Sequence, residues 1–175
     1  MAEDRKKRHL PRLDHASYVG RKHVMFDLRL ENYRKLFVKR EPTEQTMHML
    51  ERYMAEYECG LLCYVFMPDH IHMITVGQSD SADALTAHDV WKGEAGVMLK
   101  NELAIDCERV FQKQSYDHVM RSWEYASRRL LRKAEYIVSN PVRKGLVTHW
   151  KDYPYIGSTL GSYDIRHPFW WDEMF

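Results

Sequence analysis

The feature that most constrains this chain is a hairpin near its middle. Leu61-Leu62-Cys63-Tyr64-Val65-Phe66-Met67 is an unbroken apolar run of strand length and reads as a buried strand. Pro68-Asp69 is turn chemistry, and His70-Ile71-His72-Met73-Ile74-Thr75-Val76 returns as the neighbouring strand.

Around the hairpin the pattern predicts an α+β domain. From Gly20, His23-Val24-Met25-Phe26-Asp27-Leu28-Arg29-Leu30 reads as a first strand. Glu41-Pro42-Thr43 starts a helix. Met47, Leu50, Tyr53, Met54 and Tyr57 continue it to about Cys59, and Gly60 ends it. Residues 82–104 are one helix or two short ones, because Gly93 and Gly96 interrupt the pattern. Glu108 to Gln112 reads as a short strand. Residues 122–139 form the clearest helix, with a stop at Asn140-Pro141, since proline disfavours helical conformation in the residue before it. The aromatic C-terminal part, ending in Phe169-Trp170-Trp171, reads as an irregular coat. Strand, helix, two strands, helix, strand and helix fit a ferredoxin-like or RRM-like antiparallel sheet with helices packed on it.

A chain of 175 residues is one domain. Residues 1–19 read as a basic, irregular N-terminal segment and residues 20–175 as the single domain. No run approaches the roughly 20 apolar residues of a membrane span. Arg5, Lys6, Lys7 and Arg8 precede polar sequence, not the apolar core of a signal peptide. The three cysteines, Cys59, Cys63 and Cys107, lack CxxC spacing, which disfavours a disulfide framework or zinc ribbon. A cytoplasmic protein with free thiols is expected.

Net charge is only +1, but it is unevenly spread. Residues 1–40 carry 12 Lys/Arg against 5 Asp/Glu, and residues 121–144 carry 7 against 2. Such segments form either a phosphate-binding surface or a solvated face balanced by acidic neighbours.

Two constellations carry chemistry. Residues two apart on a strand face the same side, so His70 and His72 point together. They are either ligands for a divalent ion or two incidental strand histidines. On the helix 122–139, Trp123, Ala126, Leu130, Ala134 and Ile137 form the expected buried stripe. Tyr136 falls about 150° from its centre, grouped with Tyr125, Arg129, Arg132 and Asn140, with Lys133 at the edge. The tyrosine is either a stray residue on a solvated face or a nucleophile among cations, which favour a phenolate and attract a phosphodiester. Asn140, one turn on, is either a metal ligand or a C-cap before Pro141.

These residues stand in segments that resemble a known family. Met67-Pro68-Asp69-His70-Ile71-His72 matches the MPDHxH signature of single-tyrosine HUH transposases. Tyr136-Ile137-Val138-Ser139-Asn140-Pro141-Val142-Arg143-Lys144-Gly145-Leu146-Val147 is similar to their YIxxNPVxxGLV segment. Between them, Phe111-Gln112-Lys113-Gln114-Ser115-Tyr116-Asp117-His118-Val119-Met120-Arg121 resembles a WQxxYYDHxIR-like stretch. Asp152-Tyr153-Pro154-Tyr155-Ile156-Gly157-Ser158 resembles a DYPxSS tail. The match spans roughly residues 20–160 in order and looks most like the REP-associated tyrosine transposases. Phe111 replaces the usual tryptophan, Ser115-Tyr116 replaces a tyrosine pair, and Trp91 to Gly96 matches the family poorly.

The resemblance implies a metal-dependent endonuclease and strand transferase acting on single-stranded DNA near hairpins. It implies Mg²⁺ or Mn²⁺ held by His70, His72 and Asn140, and Tyr136 as the nucleophile that forms a 5′-phosphotyrosine link. Arg129, Arg132 and Lys133 would lie near the scissile phosphate, with Arg121 and the basic N-terminus further out. Tyr116 and His118 would also reach DNA, and Tyr116 is the rival nucleophile. The REP-like segments favour a monomer over a homodimer. Two other classes fit the same residues. A non-catalytic single-stranded nucleic-acid-binding module predicts that metal and Tyr136 do not matter. A water-activating metal nuclease predicts that Tyr136→Phe leaves activity intact.

Overall fold

The computed structural model describes residues 12–126 and 129–160, without the side chains of residues 125 and 126. Its strands are β1 (His23–Arg29), β2 (Cys59–Met67), β3 (His70–Gly77), β4 (Tyr116–Val119) and β5 (Ile156–Gly157). Its helices are α1 (Arg40–Glu56), α2 (Ala84–Glu102), α3 (Ser122–Ala126) and α4 (Arg129–Arg143). They form one antiparallel sheet in the order β4-β1-β3-β2-β5. The first four strands and two helices reproduce the expected ferredoxin-like arrangement. β5 adds a short edge beside β2.

Alternation along the strands divides the core in two. Val24, Phe26 and Leu28 of β1, with Phe66, Ile71 and Met73, pack against Leu50 and Met54 of α1 and Trp91, Ala95 and Leu99 of α2. On the other face Met25, Val65, Met67 and Ile74 meet Leu130, Ala134, Ile137 and Val138 of α4. A register shift between Leu61 and Cys63 sends Leu61 to the first cluster and Leu62 and Cys63 to the second. The sheet is therefore covered on both faces, and β2 is buried along its whole length.

Several boundaries differ from those expected. α1 ends at Glu56, and the chain turns through Glu58 in the left-handed region (φ 56°). Gly60 lies inside β2, where a Cβ would come 2.1 Å from the Leu160 side chain. Its role is close approach, not helix termination. α2 is one helix running straight through Gly93 and Gly96. Glu108 to Gln112 is not a strand. Phe111 makes one isolated bridge to Leu30, and the sheet's edge strand is β4.

The expected helix 122–139 is described as α3 and α4, with residues 127 and 128 outside the described residues. Trp123 is not on the buried stripe. It is 48% exposed, with the Arg129 guanidinium 4.4 Å above its ring. The apolar stripe begins at Leu130 and runs through Ala134, Ile137, Val138 and Pro141. The helix passes Asn140-Pro141 and stops at Arg143. The Leu146 N–H donates to the Pro141 carbonyl and the Gly145 N–H to Val142, with Gly145 at φ 67°. That pair of bonds is a Schellman stop, which needs a left-handed residue where glycine stands.

In the N-terminal segment, His15–Tyr18 forms a 3-10 turn, Tyr18 is buried, and Arg12 pairs with Asp89 at 2.7 Å. Arg5 to Arg8 and the C-terminal aromatic segment 161–175 lie outside the described residues. Among the described residues no helix is long and apolar enough to cross a membrane.

One core histidine makes stability depend on pH. His88 is fully buried, stacked on Phe26 at 4.3 Å, with Nδ1 2.8 Å from Asp89 and Nε2 3.2 Å from the Ser115 hydroxyl. Burial pushes its pKa down, although Asp89 pulls the other way. Below about pH 6.5 the unfolded chain takes up a proton that the folded His88 refuses. Stability is therefore full above that pH and falls as pH drops through it. The melting temperature should be lower at pH 5.5 than at pH 7.5, and the gap should shrink in His88→Gln. An unchanged gap in that variant would contradict the assignment to His88.

Candidate active site

The candidate site lies on the sheet face that carries α4. Met25, Asp27 and Arg29 of β1 alternate toward it, and the register sets Asp27 opposite His72 and Arg29 opposite His70. The two imidazoles stand edge to face, 4.7 Å between ring centres. Each is oriented through Nδ1, His70 by Asp69 at 2.6 Å and His72 by Asp27. Nε2 of each ring has no hydrogen-bond partner among the described residues.

This donor set fits a divalent cation. A carboxylate on Nδ1 fixes the tautomer and turns the Nε2 lone pair outward, as in many metal-bound histidines. Burial pushes the His70 pKa down, a second effect from Asp69 opposes it, and His72 and Arg29 add to the lowering. The ring is therefore kept in the neutral form that a metal requires. Burial alone would raise the Asp69 carboxyl, but His70 and Arg29 outweigh it and leave it below its usual range. Among the described residues no group of three or more His, Cys, Asp or Glu side chains is arranged to hold a metal. Among the described residues a third protein ligand would therefore be of another residue type.

Tyr136 meets this pair from α4. Its ring centre is 5.8 Å from that of His72, and the ring is 44% exposed. The Arg143 guanidinium lies 4.4 Å from the ring centre, near enough for cation–π attraction. The structure thus brings the Tyr136 ring against that of His72. Asn140 is different. It does not share Tyr136's exposed face but is buried (3%), with Nδ2 donating to the Tyr136 carbonyl at 2.9 Å. It makes no hydrogen bond to either imidazole among the described residues. Its Oδ1 is the amide atom left free.

The cations named from sequence spread over the same side of the sheet. Arg121 and Arg132 are exposed, Arg129 covers Trp123, and Lys133 reaches toward the Met25 sulfur at 4.0 Å. His118 of β4 sits opposite Met25, and its Nε2 is 2.9 Å from the buried Glu124 carboxylate. Glu124 also accepts the Arg121 N–H at 2.9 Å. Tyr116 faces the same side, opposite Asp27. Burial, then Asp27, Asp117 and Glu124, push its phenol pKa up. A phenolate is therefore disfavoured there.

Asp27 as the partner of His72, Glu124 and the pair Arg29–Tyr33 are not legible as site residues from the sequence. Alternation and register place Arg29, and a Cζ-to-ring distance of 5.8 Å links it to the exposed Tyr33. The signal for Asp27 is a carboxylate within an apolar strand, but it needs the pairing partner to be read.

Together the sheet and these residues define an α+β domain with a histidine pair and a tyrosine on one covered face. The fold is similar to that of a solved REP-associated tyrosine transposase bound to a REP hairpin, at a TM-score of 0.62 and 19% identity. That match covers 84% of this chain and 80% of the other. The five-stranded antiparallel sheet with helices packed against it is thus similar in fold to that transposase. A bacterial tRNA(His) guanylyltransferase-like protein in complex with GTP is also similar, at a TM-score of 0.42 and 12% identity over 79% of this chain and 74% of that one. At that TM-score the second likeness carries no argument. No protein-family model and no curated protein sequence matches the chain.

Proposed function

We propose that this chain is a metal-dependent endonuclease and strand transferase for single-stranded DNA, acting through a covalent phosphotyrosine. The observation that carries the reading is the Tyr136 ring centre 5.8 Å from that of His72, itself 4.7 Å from that of His70, with no hydrogen-bond partner for either Nε2 among the described residues. On this reading His70 and His72 hold Mg²⁺ or Mn²⁺ through Nε2, with Asn140 Oδ1 as the third ligand. The ion, when bound, polarises the scissile phosphate and neutralises its charge.

The tyrosine does the covalent chemistry. Tyr136 Oη attacks phosphorus, the P–Oη bond forms and the P–O3′ bond breaks. The proton lost by the phenol balances the one the 3′-oxygen takes up as it leaves as a hydroxyl. The DNA 5′-phosphate stays on the protein, so a 3′-hydroxyl can reverse the step and rejoin strands without an external energy source. Arg143, 4.4 Å from the Tyr136 ring, and the exposed Arg132 hold the phosphodiester. Arg121, Arg129, Lys133 and His118 line the strand's path, and the exposed rings of Tyr116, Trp123 and Tyr33 offer stacking surfaces to unpaired bases. The fold likeness to a transposase bound to a REP hairpin supports a hairpin-flanked substrate. Contact between His72 and Tyr136 within one chain supports a self-contained, monomeric site.

The test incubates labelled single-stranded oligonucleotides, including hairpin-flanked ones, with Mg²⁺ or Mn²⁺ and with wild type or Tyr136→Phe. Wild type should form a denaturant-stable protein–DNA adduct, and the variant should lose it by at least about 10³-fold. Stability should move by less than about 0.5 kcal/mol, because only an exposed hydroxyl is removed. Cutting by both proteins without an adduct would replace this reading with water activation. No adduct and no cutting, with DNA binding intact, would leave a binding module.

A further inference from the structure

We propose a second site, for a nucleoside phosphate, on the sheet side opposite the histidine pair, in an open groove of ≈ 520 Å³ between α2 and residues 108–114. The proposal is independent of the catalytic reading, which uses only the α4 face.

The groove's charge is unbalanced. Arg12 is paired with Asp89 at 2.7 Å and Arg109 with Glu108 at 3.4 Å. That leaves Lys92, Lys100 and Lys113 on the walls, with no carboxylate within ion-pair distance among the described residues. Lys92 Nζ donates to the Lys113 carbonyl at 3.0 Å and Lys100 Nζ to the Glu108 carbonyl at 2.6 Å. An ammonium has three donors, so each can still bind an anion. Burial pulls the Lys92 pKa down to about 8, with smaller effects from Asp89, Arg12 and Arg109. A bound phosphate would raise it again.

The groove's surface suggests what the anion is attached to. Lys92 and Lys100 are eight residues apart on one helix, so about 12 Å apart along its axis. A phosphate with its sugar and base, or two phosphates of a strand, spans that length. Between the lysines the helix presents Gly93 and Gly96. Nothing lies within 4 Å of a Cβ at Gly93, and one at Gly96 would meet only the Phe111 ring at 3.8 Å, an ordinary contact. Packing therefore requires neither glycine, although each weakens a helix relative to alanine. Their flat wall, beside exposed Val97 and the Phe111 edge, suits a planar base. A free nucleotide and a nucleotide of a bound strand share this chemistry.

The test reads each lysine directly in the full chain. Amine acylation at pH 8, mapped by mass spectrometry, is compared without ligand, with thymidine 5′-monophosphate and with a five-residue oligothymidylate. The proposal expects ligand to slow modification of Lys92 and Lys100 by about tenfold. Protection should be absent in Gly93→Leu, which fills the groove without changing charge and melts no lower than wild type. It should weaken as pH rises above 8, where Lys92 loses its proton. Protection by the mononucleotide identifies a free nucleotide as sufficient, and protection by the oligonucleotide alone identifies a strand. No protection by either, or equal protection in Gly93→Leu, overturns the proposal.

Discussion

Replacing His70 and His72 together by alanine is expected to abolish metal-dependent DNA cleavage, by at least about 10³-fold, on the order of 4 kcal/mol of transition-state stabilisation. The same variant should lose the heat of Mn²⁺ binding in a calorimetric titration. The fold should survive, because neither imidazole belongs to the two apolar clusters that hold the sheet. Asp27 and Asp69 would lose the ring nitrogens they now orient. A milder variant separates ligation from orientation. Asp27→Asn keeps His72 but weakens control of its tautomer, and about 10–100-fold in metal affinity or activity should go with it. Wild-type cleavage by the double variant would show that the histidines are incidental strand residues.

The largest effect on stability is expected at Trp91. It is fully buried where α2 meets the sheet, among Phe66 at 6.3 Å, Phe111 at 6.1 Å and His88 at 6.2 Å. Its Nε1–H donates to the Thr46 carbonyl of α1 at 3.3 Å, so one side chain joins both helices to the strands. Trp91→Ala removes this apolar bulk, leaves a cavity and deletes the bond to α1, at a cost of about 3–5 kcal/mol. Urea denaturation should show that loss as a lower midpoint with an unchanged slope. A change below about 1 kcal/mol would mean that the core repacks around the gap.

Much of the architecture is written in local pattern. The β2–β3 hairpin is legible because an apolar run, a Pro-Asp turn and a second run leave one way to pair. Alternation alone sets His70 and His72 on one face, and helical spacing alone keeps Tyr136 off the apolar stripe. What is not legible depends on partners distant in sequence. Gly60 looks like a helix stop until Leu160 is seen packed against it. Pro141 looks like a stop too, but α4 runs on to the stronger signal at Gly145. One helical phase carried from residue 122 to 139 puts Trp123 on the buried stripe, whereas its ring is 48% exposed beneath the Arg129 guanidinium. Asp27 becomes an orienting carboxylate only through its register with His72. Asn140 carries a polar side chain into the buried side of a helix, which periodicity cannot anticipate.

If Tyr136 is the nucleophile it becomes bonded to DNA, and that bond can be mapped to its residue. Wild-type protein would be incubated with Mn²⁺ and a cleavable single-stranded oligonucleotide, digested with nuclease and protease, and its peptides weighed. The account predicts a nucleotide 5′-phosphate mass on the peptide containing Tyr136, absent when metal is chelated. The same mass on the Tyr116 peptide, or cleaved DNA with no modified tyrosine, would contradict it.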